Sequence, residues 1–330
     1  MLFDPLAINT AVYAVLMAFT VNIALCPIII PHLTRLKVGQ NIRSDGPQSH
    51  LSKKGTPTMG GVMILLSFFV VALLFLRDNS DGLVLLFVTL GFGAIGFCDD
   101  YVKVVKRRSL GLRAWQKLVG QFAVGIIFLA YLMLMRGDDS PTSILLPFTT
   151  GLSIELSYLL YIPFFFITLG GTVNGVNLTD GLDGLAAGVT LLIATFFTLA
   201  AWAAGSPVTA VAAGAAGSLL GFLLYNAHPA KVFMGDTGSL ALGGFIAGLA
   251  LLLKMPLFIP IVGIIYVIET LSVIIQVGYF KWRKERFFKM APIHHSFELS
   301  GWSETKVVTL FYVITAIACL IGFLAAQQLF

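Results

Sequence analysis

Residues 82–106 read GLVLLFVTLGFGAIGFCDDYVKVVK, an uncharged run that ends in two aspartates and two lysines. The uncharged part covers residues 82–98, and a helix of that length rises about 25 Å, close to the roughly 30 Å hydrocarbon layer of a bilayer. The segment therefore predicts a membrane-spanning helix. Asp99 and Asp100 follow it directly, and ionisable groups at a membrane boundary are often functional.

Similar apolar runs recur along the whole chain of 330 residues. Hydrophobic residues make up 58% of the chain and charged residues only 11%, with a mean hydropathy of +0.92, whereas a soluble domain has about 25% charged residues. The runs predict ten membrane spans, near residues 8–31, 58–76, 82–98, 118–135, 157–173, 184–202, 207–225, 238–253, 257–280 and 306–327. We therefore expect an all-α integral membrane protein with ten transmembrane helices, folded as a single polytopic domain over residues 1–330.

Basic residues are distributed unevenly between the predicted connections. Of the 21 Lys and Arg residues, 18 lie in the odd-numbered connections. Because cytoplasmic loops carry the excess of Lys and Arg, those connections are predicted to be cytoplasmic and both termini to lie outside. This placement explains the basic balance without a nucleic-acid partner. The cytoplasmic loops are expected at residues 32–57, 99–117, 174–183, 226–237 and 281–305.

Three further segments lead to structural predictions. The outer segment 136–156 is interpreted as a plain polar loop in preference to a small hairpin. The stretch GSLALGGFIAG at 238–248 favours close helix contact in lipid. Glu269, within the ninth span, is expected to be a structural hydrogen-bond acceptor, with a position lining the cleft as the alternative.

Two of the predicted cytoplasmic loops concentrate carboxylates. The adjacent Asp99 and Asp100 repel each other unless a metal or a lysine compensates, so the pair suits Mg²⁺ binding or general-base work. The segment GGTVNGVNLTDGLDGLAAG at 170–188 spaces Asn177, Asp180 and Asp183 by three residues. If this segment is helical, those side chains stack along one face and line one pocket.

The last two cytoplasmic loops add an aspartate and two histidines. In YNAHPAKVFMGDTGSLALGG, residues 225–244, Asp236 directly precedes a span. There it either caps the helix or binds a metal near a phosphate site. In FKMAPIHHSFELSGWSE, residues 288–304, His294 and His295 are adjacent. Neighbouring residues do not share a helix face, so at most one histidine is expected to point at a given ligand.

Together these residues favour one kind of chemistry. Carboxylates, asparagines, lysines and histidines, without a serine triad, a thiol pair or a Walker loop, indicate Mg²⁺-assisted handling of phosphates. Lys53, Lys103 and Lys117 are the favoured basic candidates, because each lies close in sequence to a motif and not in a diffuse basic run. A site of this kind at the membrane surface predicts that one of the substrates is a lipid.

Five motifs carry a resemblance to a known family. They are DGPQSHLSKKGTPTMGG, GFCDDYVKVVK, NGVNLTDGLDGLA, NAHPAKVFMGDTGSLALGG and MAPIHHSFE. In this order they resemble the polyprenyl-phosphate N-acetylhexosamine 1-phosphate transferases along essentially the whole chain, most of all the members that act on UDP-N-acetylmuramoyl-pentapeptide. The resemblance implies a ten-helix fold with outside termini and a Mg²⁺-dependent transfer of phospho-N-acetylmuramoyl-pentapeptide to undecaprenyl phosphate, with release of UMP.

The resemblance also implies roles for individual residues. Catalytic roles fall on Asp99, Asp100, Lys103, Asp236, His294 and His295. Substrate-binding roles fall on Lys53, Thr58, Lys117, Asn177, Asp180, Asp183, Asn226 and Phe233. Asp236 is the implied Mg²⁺ ligand, with Asp99 as a further candidate. Ser296 departs from the family, which commonly has a third histidine there, so a catalytic role for that position is in doubt.

Location and partners follow from the same resemblance. It implies a multi-pass protein of the bacterial inner membrane, surrounded by membrane lipids, with its active site on the cytoplasmic face, and it suggests a homodimer. Transfer of N-acetylglucosamine 1-phosphate to the same type of lipid is the alternative reaction, and an ion-coupled transporter is the alternative class. The sequence leaves open whether the lipid phosphate attacks directly or an aspartate, with Asp236 as the candidate, first forms a covalent intermediate.

Overall fold

A computed structural model describes residues 5–35, 53, 55–76, 79–105, 111–327 and 329. The helices are α1 (Pro5–Arg35), α2 (Gly61–Phe75), α3 (Ser80–Val105), α4 (Ala114–Ala130, continued by a π-helical turn, Tyr131–Met135), α5 (Tyr158–Thr179), α6 (Leu185–Ala203), α7 (Thr209–Asn226), α8 (Gly235–Leu252), α9 (Ile259–Val262, preceded by the 3₁₀ turn Pro256–Phe258), α10 (Ile264–Arg283), α11 (Ile293–Glu298) and α12 (Glu304–Ala325). Most of the predicted loop 32–57, and residues 106–110 of loop 99–117, lie outside the described residues.

The described helices agree with an integral membrane protein. Nine of them are long and apolar enough to cross a membrane, and α2 is a shorter apolar helix of 15 residues. The predicted ninth span is not one continuous helix. Its first part forms the 3₁₀ turn and α9, and the helix is interrupted at Gly263 before α10 begins. Pro256 and Pro260 lie in this part, and proline is favoured at helix starts and not in helix interiors.

Helix α8 lies at the centre of the bundle. Every residue from 237 to 252 is buried, and α2, α3, α5 and α6 pack around it. Small residues allow this close packing, since a Cβ atom on Gly243 would overlap the backbone of Val173 in α5. Helices in lipid associate largely through such close contact. The prediction that residues 238–248 form a helix-contact surface is confirmed.

A small β-hairpin lies at the end of the bundle opposite Asp99. Strand β1 (Ser143–Leu145) pairs antiparallel with β2 (Ser153–Glu155), with Ile144 opposite Ile154. The interpretation of segment 136–156 as a plain loop is therefore wrong. The apolar Ile144 is buried, and the Leu145 amide donates to the carbonyl of Lys254, 2.8 Å away. Burial and this bond to the end of α8 explain why the segment forms a hairpin.

We expect Gly243→Ala to destabilise the protein, because the added methyl group has no room beside α5. Overpacking of this kind costs about 1–3 kcal/mol and would lower the melting temperature by roughly 2–4 °C. Thermal unfolding in detergent measures the change. Gly278→Ala in α10 is the matched control, since no atom lies within 4 Å of a Cβ atom there. Equal melting temperatures for the two variants would contradict the packing account.

Candidate active site

The ends of α3, α4 and α8 bring three carboxylates and two lysines together. Oxygen atoms of Asp99, Asp100 and Asp236 lie within 4.8 Å of one another. The Lys103 ammonium lies 2.6 Å from Asp99 and 3.1 Å from Asp236. The Lys117 ammonium lies 3.2 Å from Asp99 and 2.5 Å from Asp236. Both lysines therefore bridge the same two carboxylates, which reduces the repulsion between them.

Asp100 has a different environment from its neighbour Asp99. Its carboxylate accepts hydrogen bonds from the backbone amides of Asp236, at 3.2 Å, and Thr237, at 2.9 Å, and from the Thr237 hydroxyl at 2.7 Å. These amides belong to the first turn of α8, where backbone N–H groups lack partners within the helix. Asp100 thus serves α8 as a cap from another helix, and Asp236 remains free of that role.

Asn177 and Asp180 approach the same centre from the end of α5. The Asn177 amide donates to Asp236 at 3.1 Å and to the Ser239 hydroxyl at 2.8 Å. The Gly235 amide donates to the Asp180 carboxylate. Burial, with the nearby charges of Asp236 and Asp100, raises the pKa of Asp180 to about 8. Asp180 is therefore mainly protonated at neutral pH.

Asn177, Asp180 and Asp183 do not stack along one helix face, because the segment is not helical throughout, as that arrangement requires. Helix α5 ends at Thr179, and Asp180 already has a non-helical backbone. Because the chain turns there, Asp183 lies in a second cluster instead of beside Asp236. The glycines in this segment favour such a turn, and its Asn and Asp spacing alone did not distinguish turn from helix.

The second cluster surrounds Lys53. Its ammonium lies 2.7 Å from Asp183 and 2.6 Å from Glu304. The second carboxylate oxygen of Asp183, Oδ2, lies 3.1 Å from Nδ1 of His228 and accepts a hydrogen bond from the amide of Ala230 at 3.0 Å. A cavity of about 660 Å³ opens beside this cluster, lined by Lys53, Asp183, His228 and Glu304 among others. Its size suits a small organic ligand.

The two histidines point to different partners. His294 is buried, with Nδ1 3.0 Å from a carboxylate oxygen of Glu269. His295 Nδ1 lies 2.8 Å from Glu298. The ring of His294 packs against Gly181, where a Cβ atom would overlap it. The two imidazole rings nevertheless lie side by side, with their centroids 4.1 Å apart. The expectation that Glu269 accepts a hydrogen bond inside the protein is confirmed.

The remaining predicted binding residues, Thr58, Phe233 and Asn226, lie in or contact the segments that precede α2 and α8. Thr58 is buried, with its hydroxyl next to Gly235. The backbone of Phe233 pairs with Pro57 and Gly60 at 2.8 Å each. Asn226 is buried and donates to the carbonyl of Val232 at 2.9 Å. These contacts hold the segment before α8 against the segment before α2.

Sequence reasoning missed two kinds of residue at this site. Thr237 and Ser239 are small residues of α8 that hold Asp100 and Asn177, and their place in the GDTGS motif was the available signal. Glu304 gave no signal of its own, because it follows a serine at a helix start, where an acidic residue is ordinary. Only the fold brings it to Lys53.

Comparison with known proteins defines the class of this fold and site. Residues 82–254, more than half of the chain, match the model of glycosyl transferase family 4. The protein is thus a membrane member of that class. Residues 53–65 also match the phospho-N-acetylmuramoyl-pentapeptide-transferase signature 1.

Full-length relatives narrow the class to one family. A phospho-N-acetylmuramoyl-pentapeptide-transferase of Clostridium botulinum is 51% identical over 320 residues, 96% of each chain. One of Acetivibrio thermocellus is 48% identical over 329 residues, 99% of this chain and 98% of the relative. One of Desulforamulus reducens is 50% identical over 321 residues, 94% of each chain. The chain therefore belongs to the phospho-N-acetylmuramoyl-pentapeptide-transferase family, and the resemblance seen in its motifs is confirmed.

The environment of Asp180 predicts a pH-dependent stability. Its pKa of about 8 lies above the value near 3.9 of an unfolded chain. Between these values the folded state binds more protons, so this group contributes stability at low pH that is lost as the pH rises towards 8. In metal-free buffer, Asp180→Asn should therefore gain in melting temperature relative to the parent protein between pH 5 and pH 8. A constant difference across that range would contradict the raised pKa.

Proposed function

We propose that this chain transfers phospho-N-acetylmuramoyl-pentapeptide from UDP-N-acetylmuramoyl-pentapeptide to undecaprenyl phosphate, giving the lipid-linked phosphosugar of peptidoglycan synthesis and UMP. One observation carries the proposal: Asp99 and Asp236 are bridged by Lys103 and Lys117 at the helix ends of the bundle. Such a charge arrangement suits phosphoryl transfer. Relatives of that name match nearly the full length of the chain at about half identity.

The proposed location is the cytoplasmic face of a bacterial inner membrane. Ten spans with both termini outside would place the C-terminal end of α3 and the N-terminal end of α8 on the side richest in Lys and Arg. The nine long apolar helices and the shorter α2 support that count. On this side a soluble nucleotide sugar can meet a phosphate group that belongs to a lipid.

Mg²⁺ is the proposed cofactor, and the residues present fit it. The donor set consists of carboxylate oxygens, the ligands that Mg²⁺ prefers. Asp100 is occupied by the start of α8, so Asp236 and Asp99 are the residues that would hold the ion. When bound, the ion would neutralise the charge of the diphosphate and of the departing UMP.

The residues of the chain would divide the remaining work. Lys103 and Lys117 would bind phosphate oxygens, because their ammonium groups already lie between Asp99 and Asp236. Asp99 would accept a proton from the lipid phosphate, so that the acceptor is a dianion. An oxygen of the lipid phosphate then forms a bond to the sugar-proximal phosphorus, while the bond from that phosphorus to UMP breaks.

The contacts of Asp236 favour this direct attack over a covalent intermediate. Its Oδ2 atom is bound by both lysines, and its Oδ1 atom accepts from Asn177. A carboxylate whose two oxygens are both engaged in this way is a weak nucleophile, whereas a nucleophile in covalent catalysis is usually activated. Asp236 is better suited to binding a cation.

Asp236→Asn should reduce Mg²⁺-dependent UMP release at least about a hundredfold, because it removes half of the bridged pair from a site that stabilises charge. The assay uses UDP-N-acetylmuramoyl-pentapeptide with and without undecaprenyl phosphate. Asp139→Asn, at an exposed aspartate on the opposite end of the bundle, is the matched control.

Three outcomes of this assay would count against the proposal. Unchanged UMP release in folded Asp236→Asn protein would reopen the transporter alternative. UMP release from UDP-N-acetylglucosamine, without release from UDP-N-acetylmuramoyl-pentapeptide, would favour transfer of N-acetylglucosamine 1-phosphate. Parent protein inactive with both nucleotide sugars would reject the transferase function.

The direct mechanism predicts that no phosphosugar becomes attached to the protein. Incubation with the nucleotide sugar and Mg²⁺, but without lipid, should leave the intact mass unchanged. An adduct with the mass of the phosphosugar, absent from Asp236→Asn, would instead establish the two-step route.

The homodimer implied by the family is also proposed for this chain. The mass of the detergent-solubilised protein, measured by light scattering, tests that proposal independently of catalysis.

A further inference from the structure

Glu304 connects two distant segments of the chain at the second cluster. It lies in the first turn of α12, and one of its oxygens, Oε1, accepts two hydrogen bonds. The Lys53 ammonium donates at 2.6 Å and the backbone amide of Asp183 at 2.7 Å. The other oxygen, Oε2, lies 3.4 Å from Nδ1 of His228. One carboxylate therefore sets the place of a lysine and of a turn.

Burial makes these contacts energetically important. The side chains of Lys53, Asp183 and Glu304 are 13%, 2% and 8% exposed. Ion pairs at exposed positions contribute little, but a charge left without its partner at a buried position is strongly unfavourable. Loss of the Glu304 charge would leave Lys53 with one carboxylate instead of two, and its ammonium would move towards Asp183.

The carboxylates of the second cluster are bridged by a lysine, as those of the first cluster are. Ligand atoms of Asp183, His228 and Glu304 lie within 4.8 Å of one another. The Lys53 ammonium lies within 2.7 Å of both Asp183 and Glu304. Displacing either carboxylate therefore changes the position of the Lys53 ammonium.

The position of the cluster relates it to a ligand of the cavity. Lys53 and Asp183 line the cavity of about 660 Å³, and the 180–183 turn also carries Asp180, which contacts Gly235 beside the bridged aspartates. A group bound at Lys53 would therefore lie one short turn from the proposed reaction centre. A nucleotide sugar has the anionic and polar groups that an ammonium and a carboxylate recognise.

From these contacts we infer that Glu304 is a positioning residue for the nucleotide-sugar substrate. It holds the Lys53 ammonium and the Asp183 backbone in the arrangement that binds this substrate, and it takes no part in the bond changes. The inference rests on the proposed function and adds to it a residue that acts through Lys53.

The test is Glu304→Gln, which removes the charge and keeps an oxygen that can accept from the Asp183 amide. We expect the KM for UDP-N-acetylmuramoyl-pentapeptide to rise about tenfold, the usual size for loss of one charged hydrogen bond. The kcat should stay within about threefold of the parent value, and the KM for undecaprenyl phosphate should not change, because the lesion affects uniform binding of one substrate. Glu285→Gln, at an exposed glutamate after α10, is the matched control.

A double-mutant cycle with Lys53→Met tests the route of the effect. If Glu304 acts through Lys53, Glu304→Gln should change KM by less than about twofold in the Lys53→Met background. A full tenfold rise in that background would overturn the inference. So would an unchanged KM in the single variant, or a parallel change in kcat and both KM values, which indicates general damage.

A further variant covers the case in which Glu304→Gln does not fold. Glu304→Asp keeps the charge on a shorter side chain and should raise the nucleotide-sugar KM alone, by a few-fold. No rise would overturn the inference. Activity of the parent protein distinguishes failure of the proposed function from failure of the inference about Glu304. An inactive parent rejects the proposed function, whereas an active parent with unaffected Glu304 variants rejects only the role of Glu304.

Discussion

The bridging of Asp99 and Asp236 by two lysines is the interaction on which the site depends. Each carboxylate lies at a helix end, Asp99 in α3 and Asp236 in α8, and burial of like charges this close is strongly unfavourable without compensation. Lys103 follows one turn after Asp99, whereas Lys117 reaches the pair from α4. The charge pattern thus holds three helices together at the same level of the bundle.

The short turn at residues 180–183 places the polar residues in two groups. Asp180 faces the start of α8, Asp183 faces Lys53, and between them Gly181 contacts the buried ring of His294. The turn is therefore held from three sides by elements far apart in sequence. A reaction centre and an adjoining cavity lie next to each other because α5 ends at Thr179 and does not continue.

Sequence could predict the fold where the physical signal is local. Apolar runs gave the spans, and the glycines of residues 238–248 gave the contact surface of α8. At the end of α5 and before α10, local glycines and prolines favour the observed backbone, but the apolar and polar spacing of these segments did not reveal it. The hairpin at Ser143–Leu145 depends on a tertiary contact, for which the sequence has no local signal. The pairing of Lys53 with Glu304 joins residues 251 positions apart, and no local pattern reports it.

The two ends of the bundle show why only one of them is suited to phosphate chemistry. At the hairpin end, Asp81 pairs with Arg136 and Asp138 with Lys254, so each of these two partly buried acids has a basic partner. At the other end three carboxylates, Asp99, Asp100 and Asp236, face two lysines. A surplus of negative charge in a partly buried place favours a divalent cation, and a cation there attracts an anionic substrate. Balanced ion pairs offer no comparable binding site, since their charges already satisfy one another.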